Sequence, residues 1–395
     1  MDQHSHKPSR VAWLLKRHAS GEERTTVGLV SGMACVRCKR TFGVLKSAQW
    51  CPDCGMDGAL DVQYDYESVG KVLTPARLEH STLRNQWRYL PLLPLRGLKR
   101  VPPLEIGWTP LYKARALAQT LGINQLLLKD ETRNPTGSIE DRATALATSR
   151  ALEDGHSTVT CGPASNAALS AAALSASAGL SVAVFVSRDN QDELVAQLLL
   201  TGANVFVVEG SESEAEQLSV RCATEYGWYN CNKALNPFLV EGMKTVAFEM
   251  GEQMQWAVPD CIIVPVGHGS TIAALWKGYC EMKKLGWIAQ APKMIGVQPE
   301  GASAIYAAWK EGREATASTT ETVAQSLAVA MPRDWRKAVG AVRESGGAMV
   351  SVSDRQILKA MHLLAERMGL IADPGSATAL AGLASLLSSR QLSRT

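Results

Sequence analysis

The chain has 395 residues, of which 46% are hydrophobic and 20% are charged, so it can bury the cores of two domains without disulfide bonds. Its formal net charge of +3 is small for this length and excludes strong electrostatic attraction to nucleic acids or anionic membranes. The sequence has no apolar run long enough to span a bilayer and no apolar signal segment near its start, so we expect a cytoplasmic protein.

Four cysteines near the N-terminus have the spacing of a zinc site. Cys35 and Cys38 form one C-x-x-C pair, Cys51 and Cys54 form a second, and twelve residues separate the pairs. Two such pairs can present four thiolates to one tetrahedral Zn²⁺ at roughly 2.3 Å. We predict a structural zinc there; the alternative is a ribbon with reduced, empty thiols. Five further cysteines lack such spacing and are expected to be small buried residues: Cys161, Cys222, Cys231, Cys261 and Cys280.

After this segment, short apolar runs alternate with longer helical patterns. Such alternation is typical of an α/β protein whose parallel sheet carries helices on both faces. Gly179, Gly202 and Gly227 are predicted to end helices, because glycine readily adopts the left-handed conformation found there. The predicted elements are strands at 182–186, 205–208 and 261–266 and helices at 166–178 and 191–200.

A glycine-rich loop, P-V-G-H-G-S-T, follows the last of these strands and precedes a predicted helix at 272–282. Glycines let the backbone approach an anion closely, and the N–H groups at the start of a helix attract it. The two hydroxyls add donors, and the histidine adds charge when it is protonated. The alternative is a tight turn without a ligand. The predicted anion-binding residues are Gly267, His268, Gly269, Ser270 and Thr271.

The chain resembles threonine synthases, which use pyridoxal 5′-phosphate (PLP), in five segments that follow one another in the family's order. The resemblance extends from about residue 33 to about residue 385. It implies the α/β architecture of fold type II PLP enzymes, which is tryptophan synthase β-like. The five segments are L-L-L-K-D-E at 126–131, N-P-T-G-S-I-E-D-R at 134–142, E-G-M-K-T-V-A-F-E at 241–249, T-V-A with P-R-D-W at 322–335, and D-P-G-S-A-T-A-L-A-G-L at 373–383.

The second segment differs from the family at the residue that carries its chemistry. In threonine synthases it reads N-P-T-G-S-F-K-D-R, and the lysine holds PLP as a Schiff base. Glu140 stands at that place in this chain. Because a carboxylate cannot form an imine with an aldehyde, the resemblance implies that PLP, if it binds, is not held covalently at position 140.

The resemblance also assigns cofactor and substrate positions. The glycine-rich loop corresponds to the family's phosphate loop, and Ser376 or Thr378 would face the pyridine nitrogen. The family's substrate loop, S-T-G-N-T, aligns with P-A-S-N-A at 163–167, where only Asn166 is retained and would face the PLP ring. Pro163 removes both an N–H and a hydroxyl that a substrate carboxylate would need. The candidate substrate-binding residues are Ser138, Ala164, Ser165 and Asn166.

The same resemblance implies a domain organisation with the ligand between two domains. The cysteine-rich segment is similar to the zinc ribbon of a subset of threonine synthases, and the family pattern implies a homodimer. The expected units are a flexible segment at 1–30, a zinc ribbon at 31–66, a large domain at 67–135 and 233–385, a small mobile domain at 136–232 and a flexible tail at 386–395.

Three functions are compatible with this pattern. The expected one is a lyase- or transferase-type enzyme acting on a small amino-acid-like or phosphorylated substrate, with Glu140 as general acid or base. His268, Asn166 and Cys161 would flank it, although Cys161 also has the pattern of a buried thiol at the end of a strand. The second is an enzyme that binds PLP non-covalently and uses another base; Lys129, Lys233 and Lys244 are nearby in sequence, although Lys129 and Lys244 lie at family positions with other roles. The third is a non-catalytic binding or regulatory subunit.

Overall fold

The computed structural model describes residues 28–43, 50–188, 192–232 and 235–392. In the N-terminal part, a three-stranded antiparallel sheet has the order β2-β1-β3. Its strands are β1 (Val30–Cys35), β2 (Thr41–Phe42) and β3 (Leu60–Tyr64). Every second residue of β3 is buried, which indicates that one face of this small sheet packs on the rest of the protein.

The segment that follows contains short helices and a two-stranded antiparallel sheet. Asp65 and Thr74 cap the first two helices, because each side chain accepts a hydrogen bond from an N–H in the first turn. The elements are α1 (Tyr66–Val72), α2 (Pro75–Glu79), a 3₁₀ turn (Gln86–Leu92), β4 (Leu111–Lys113), α3 (Arg115–Leu121), β5 (Leu127–Lys129) and a second 3₁₀ turn (Glu131–Arg133).

A four-stranded parallel sheet with the order β8-β7-β6-β9 forms the middle of the chain. The strands predicted at 182–186 and 205–208 are confirmed, and Gly179, Gly202 and Gly227 have the positive φ expected of residues that end helices. Its elements are α4 (Glu140–Glu153), β6 (Thr158–Cys161), α5 (Asn166–Ser177), β7 (Ser181–Ser187), α6 (Asp192–Leu200), β8 (Asn204–Val208), α7 (Glu212–Tyr226) and β9 (Tyr229–Asn230).

A second parallel sheet, with the order β10-β11-β12, and its helices complete the fold. Two further 3₁₀ turns, Glu300–Ala302 and Gln325–Leu327, lie in the connections of this part. The other elements are α8 (Pro237–Met243), α9 (Thr245–Gln253), β10 (Cys261–Pro265), α10 (Ser270–Lys284), β11 (Lys293–Pro299), α11 (Ala304–Glu311), α12 (Trp335–Glu344), β12 (Ala348–Val352), α13 (Asp354–Met368) and α14 (Pro374–Ser388).

Two boundaries in this part differ from the sequence prediction. Helix α10 begins at Ser270 instead of residue 272, because Gly269 has a φ of 96° and turns the chain directly into the helix. Helix α14 continues to Ser388, so the predicted flexible tail is helical where it begins. Leu386 and Leu387 explain this continuation, since both are buried in the apolar core beside β11 and β12.

The cysteine-rich sheet shares one apolar core with the larger part of the protein. Met33, Val62 and Tyr64 lie in the same buried cluster as Phe248 and Tyr279, which belong to α9 and α10. The ribbon is therefore packed into the main fold. Among the described residues, no helix is both long and apolar enough to cross a membrane. Of the two segments predicted to be flexible, residues 1–27 and 393–395 lie outside the described part of the chain.

Candidate functional site

The four ribbon cysteines lie together with the geometry of a metal site. Their Sγ atoms are all within 4.8 Å of one another, as the paired spacing predicts. The Cys38 N–H points to the Cys35 Sγ at 3.5 Å, which fixes the first pair at the end of β1. Gly58 packs directly against the cysteines, and a larger residue would not fit there, because a Cβ at this position would lie 2.5 Å from the Cβ of Cys51. Four thiolates in this arrangement suit a tetrahedral Zn²⁺, so the cluster could hold zinc.

Glu140 is the first residue of α4, and its exposed fraction is only 6%. Its backbone N–H donates to the Ser138 hydroxyl at 3.2 Å, and the Thr144 hydroxyl donates to its carbonyl at 3.0 Å. The positive end of the helix dipole favours a carboxylate at this position. The backbone of Glu140 is thus held in place at the start of the helix.

Asp141 joins the start of α4 to the neighbouring helix α5. Its carboxylate accepts hydrogen bonds from the Thr136 N–H at 2.7 Å and from the Thr136 hydroxyl at 2.5 Å, and a third from the Ser170 hydroxyl. Ser170 is one turn along α5 from Asn166, the residue predicted to face the cofactor. Asn166 is exposed at the start of α5, where its amide is accessible to a ligand.

Arg142, two residues after Glu140, lies at the centre of a buried ion-pair network. Its Nε contacts Glu131 at 2.6 Å and its Nη1 contacts Glu249 at 2.5 Å, while Lys129 pairs with Glu249 at 2.9 Å. Burial opposes ionisation of Glu249, but Arg142 and Lys129 outweigh it and lower the pKa of this carboxyl to about 2. The sequence pattern does not predict this network, although all four residues lie in the segments that resemble threonine synthases.

Two lysines considered as alternative bases are engaged in such networks. Lys129 Nζ donates to Glu249, to the Thr109 carbonyl at 2.8 Å and to Gln253 at 3.0 Å. Burial lowers the pKa of Lys129, with Glu249 opposing the shift. Lys244 is buried between Glu241, at 2.6 Å, and Glu281, at 2.8 Å. Both ammonium groups therefore have structural partners; the third lysine considered, Lys233, lies outside the described residues.

The glycine-rich loop lies between β10 and α10, as predicted. A Cβ on Gly269 would lie 3.0 Å from the Asp334 carbonyl oxygen, so the loop is packed closely against the residue that precedes α12. The Ser270 hydroxyl donates to the Asp334 carboxylate at 2.5 Å. Because a hydroxyl has a single proton, the donors that this loop offers to an anion are chiefly the backbone N–H groups and Thr271.

The predicted substrate loop begins where β6 ends. The Gly162 N–H donates to Asn232 Oδ1 at 2.8 Å, and the Gly162–Pro163 peptide is cis. The Ser165 hydroxyl caps α5 by accepting from the Ala168 N–H at 3.3 Å, and Ala164 is buried. The sequence pattern assigns Ser165 to substrate binding and does not predict that its hydroxyl caps the helix. Apart from the exposed Asn166, the side chains of this loop therefore offer little to an anionic ligand.

Cys161 ends β6 beneath this loop and is buried. Burial raises the pKa of its thiol to about 12, which disfavours the thiolate that a nucleophile requires. The position agrees with a buried thiol at the end of a strand.

The start of α14 lies next to the glycine-rich loop. A Cβ on Gly267 would be 3.5 Å from the Ser326 carbonyl oxygen, and the Ser326 hydroxyl donates to Asp373, the cap of α14, at 3.3 Å. Thr378 is buried in α14 and donates to the Pro374 carbonyl at 2.9 Å, whereas Ser376 is exposed. The fold thus brings the predicted phosphate loop close to the helix that carries both predicted ring partners.

Comparison with known proteins shows which family has this architecture. The family described as "Pyridoxal-phosphate dependent enzyme" matches residues 103–395. The chain belongs to this family. Curated relatives include the threonine synthase of Methanocaldococcus jannaschii, which is 36% identical and aligns over 89% of this chain and 87% of its own length. The threonine synthase of Methanosarcina acetivorans is 37% identical, with 90% and 86% covered.

Solved structures agree on the fold. The processed form of threonine deaminase isoform 2 from Solanum lycopersicum superposes with a TM-score of 0.60 at 21% identity, covering 72% of this chain and 80% of that chain. A fungal L-serine ammonia-lyase from Rhizomucor miehei gives a TM-score of 0.63 at 20% identity, covering 72% and 88%. The resemblance to threonine synthases and the fold type II PLP-enzyme architecture are therefore confirmed.

The residues of this chain fit PLP at one end of its predicted site. The backbone between β10 and α10 suits a phosphate, because the first N–H groups of a helix have no acceptor within the helix. At the aldehyde end, Glu140 offers a carboxylate instead of an amine. This combination is compatible with PLP held without a covalent bond at position 140.

Proposed function

We propose that the protein is a lyase- or transferase-type enzyme acting on a small amino-acid-like or phosphorylated substrate, with Glu140 as general acid or base. The observation that carries the proposal is the setting of Glu140. Glu140 is nearly buried, and it is followed by Asp141 and Arg142, two buried residues whose side chains are fixed by hydrogen bonds. Proton transfer requires this kind of fixed position, and it typically contributes a rate factor of about 10² to 10⁴.

Other residues would position the ligand. The backbone of Gly267 to Thr271 would hold a phosphate, whether that of PLP or of a substrate. Asn166 would contact the ring of the cofactor or the substrate. PLP, when bound, would supply an electron-withdrawing ring. Threonine synthases among the relatives support an amino-acid-like substrate. We do not expect ordinary threonine synthesis, because Pro163 and Ala164 lack the donors for a substrate carboxylate.

The test combines absorption with activity measurements. Visible spectra with and without PLP, followed by borohydride treatment and peptide mapping, should reveal no adduct at position 140. Amino acids and phosphorylated amino acids should be screened for release of phosphate, ammonia or an oxo acid. Glu140→Gln should lower any activity found by at least about 100-fold. Glu212→Gln is a matched control, because Glu212 is also the first residue of a helix, α7, and should leave the activity unchanged.

A non-catalytic binding subunit is the second candidate. The hydroxyls of Ser270 and Thr378 are both used within the protein, which favours a site that has lost part of its chemistry. In that case ligands would bind to wild type and Glu140→Gln equally, and no substrate in the screen would turn over.

Two further features belong to the same proposal. Residues 136–232 would form a small mobile domain that closes over the ligand, and the protein would be a homodimer. Sedimentation velocity would measure the assembly. A monomer at micromolar concentration would contradict the dimer without affecting the assignment of Glu140.

A further inference from the structure

One ion pair joins two parts of the chain that carry the predicted ligand loops. The Nη2 atom of Arg333, just before α12, donates to Oε2 of Glu216 on α7. The side chains are 25% and 14% exposed, so water screens this pair only in part. Helix α7 packs on the sheet of β6 and β7, whereas α12 packs on α10. The pair therefore connects the two layers between which the ligand is proposed to bind.

The residue that follows Arg333 is hydrogen-bonded to the glycine-rich loop. The N–H of Asp334, the next residue after Arg333, donates to the His268 carbonyl at 3.1 Å. The Asp334 carboxylate accepts from Ser270 at 2.5 Å. Residue 334 thus contacts the loop through both its backbone and its side chain. The backbone of Arg333 is fixed beside the proposed phosphate position.

Helix α7, which carries Glu216, packs against the start of the predicted substrate loop. The carbonyl oxygen of Ala215, which precedes Glu216, lies 3.2 Å from where a Cβ on Gly162 would be. Asn232 accepts from the Gly162 N–H at 2.8 Å and donates to the Ser219 hydroxyl of α7 at 2.7 Å. Helix α7 and the start of the 163–166 loop therefore form one packed unit.

We propose that Arg333 recognises an anionic group of the ligand, a phosphate or a carboxylate, and that Glu216 is the competing partner of the guanidinium while the ligand is absent. This inference rests on the proposed function. A guanidinium carries five N–H donors in a planar fork that matches phosphate and carboxylate oxygens, and the contact with Glu216 occupies one of its nitrogens. An arriving anion can bind the other donors or replace Glu216. Arg333 then supplies positive charge that the substrate loop lacks.

Anion binding to four variants tests this assignment. Calorimetric titration would use inorganic phosphate and, separately, L-serine, so that phosphate and carboxylate recognition are measured independently. Arg333→Gln should weaken binding of one or both probes about tenfold or more, because it removes a charge-assisted hydrogen bond. Glu216→Gln should tighten the same binding, since it removes the competing carboxylate. Arg333→Lys should give an intermediate loss, because it keeps the charge and loses the fork.

Arg336→Gln is the matched control. Arg336 also pairs with a glutamate, Glu314, but the partner is largely exposed, and its removal should leave both affinities within about twofold. Thermal denaturation of each variant would show that it is folded. If Arg333→Gln does not fold, the affinity of Arg333→Lys decides: a loss supports recognition and an unchanged value overturns it.

The remaining outcomes separate this inference from the proposed function. If Glu216→Gln and Arg333→Gln shift the affinity in the same direction, the pair is only a structural clamp and the inference is wrong. If wild type binds a probe and Arg333→Gln binds it equally well, only the role of Arg333 falls. If wild type binds neither probe, both the inference and the anion site of the proposed function fail.

Discussion

Glu249 offers a quantitative test of the buried ion-pair network. Its side chain is fully buried against Arg142 and Lys129. Burial alone would raise the pKa of its carboxyl, yet the two cations lower it from 4.5 to about 2. With 1.36 kcal/mol for each pH unit, this difference corresponds to about 3 kcal/mol of folding free energy at neutral pH. Glu249→Gln should therefore reduce the free energy of unfolding by about 3 kcal/mol at pH 7.

The pH dependence follows from the sign of that shift. A carboxyl whose pKa is lower in the folded protein stabilises the fold above its unfolded pKa of about 4.5, and the contribution is lost as the pH falls towards 2. Urea unfolding of wild type and Glu249→Gln, followed by tryptophan fluorescence between pH 7 and pH 3, should show a difference that shrinks below about pH 5.

Glu67→Gln is the control for this experiment, because Glu67 forms an exposed pair with Lys71 and should have no measurable effect on stability. A Glu249→Gln protein as stable as wild type at pH 7 would refute the reasoning. So would a loss of stability that stays constant from pH 7 to pH 3, because it would show that ionisation of Glu249 is not the source.

Three further predictions concern the metal site, position 140 and a close helix contact. Metal analysis should find one zinc per chain. Cys35→Ser or chelation should lower the midpoint of unfolding of the whole protein and produce no separate early transition, because the ribbon shares its core with α9 and α10. Glu140→Lys should restore a PLP adduct at position 140 that borohydride traps, but not efficient threonine synthesis, since Pro163 and Ala164 still lack donors for the substrate carboxylate. Efficient threonine synthesis, or the absence of the adduct, would contradict this prediction. Gly242→Ala should destabilise the protein by about 1 to 3 kcal/mol in urea unfolding, because its Cβ would overlap the Arg142 carbonyl. Gly340→Ala is the control, because Gly340 also lies in a helix, α12, but its Cβ would meet no neighbouring atom closer than 3.9 Å; equal losses in both would exclude the overlap as the cause.

Much of the architecture follows from local patterns. The strands at 182–186 and 205–208 are short apolar runs of β-branched residues, and the glycines at 179, 202 and 227 end helices through their backbone freedom. The cysteine cluster follows from ligand spacing alone. The end of α14 could not be predicted in this way, because its last turn is helical through the burial of Leu386 and Leu387 against distant strands.

The sequence by itself determined the family, the cluster of four cysteines and the carboxylate at position 140, because each of these depends on residue types at fixed spacing. Only the tertiary structure decided how the polar residues of the matching segments are used. Lys129, Glu131, Arg142 and Glu249 form a buried network, and Arg333 pairs with Glu216 across more than a hundred residues of sequence. Such pairs are set by how helices from distant parts of the chain pack, and neither periodicity nor spacing along the chain records that packing.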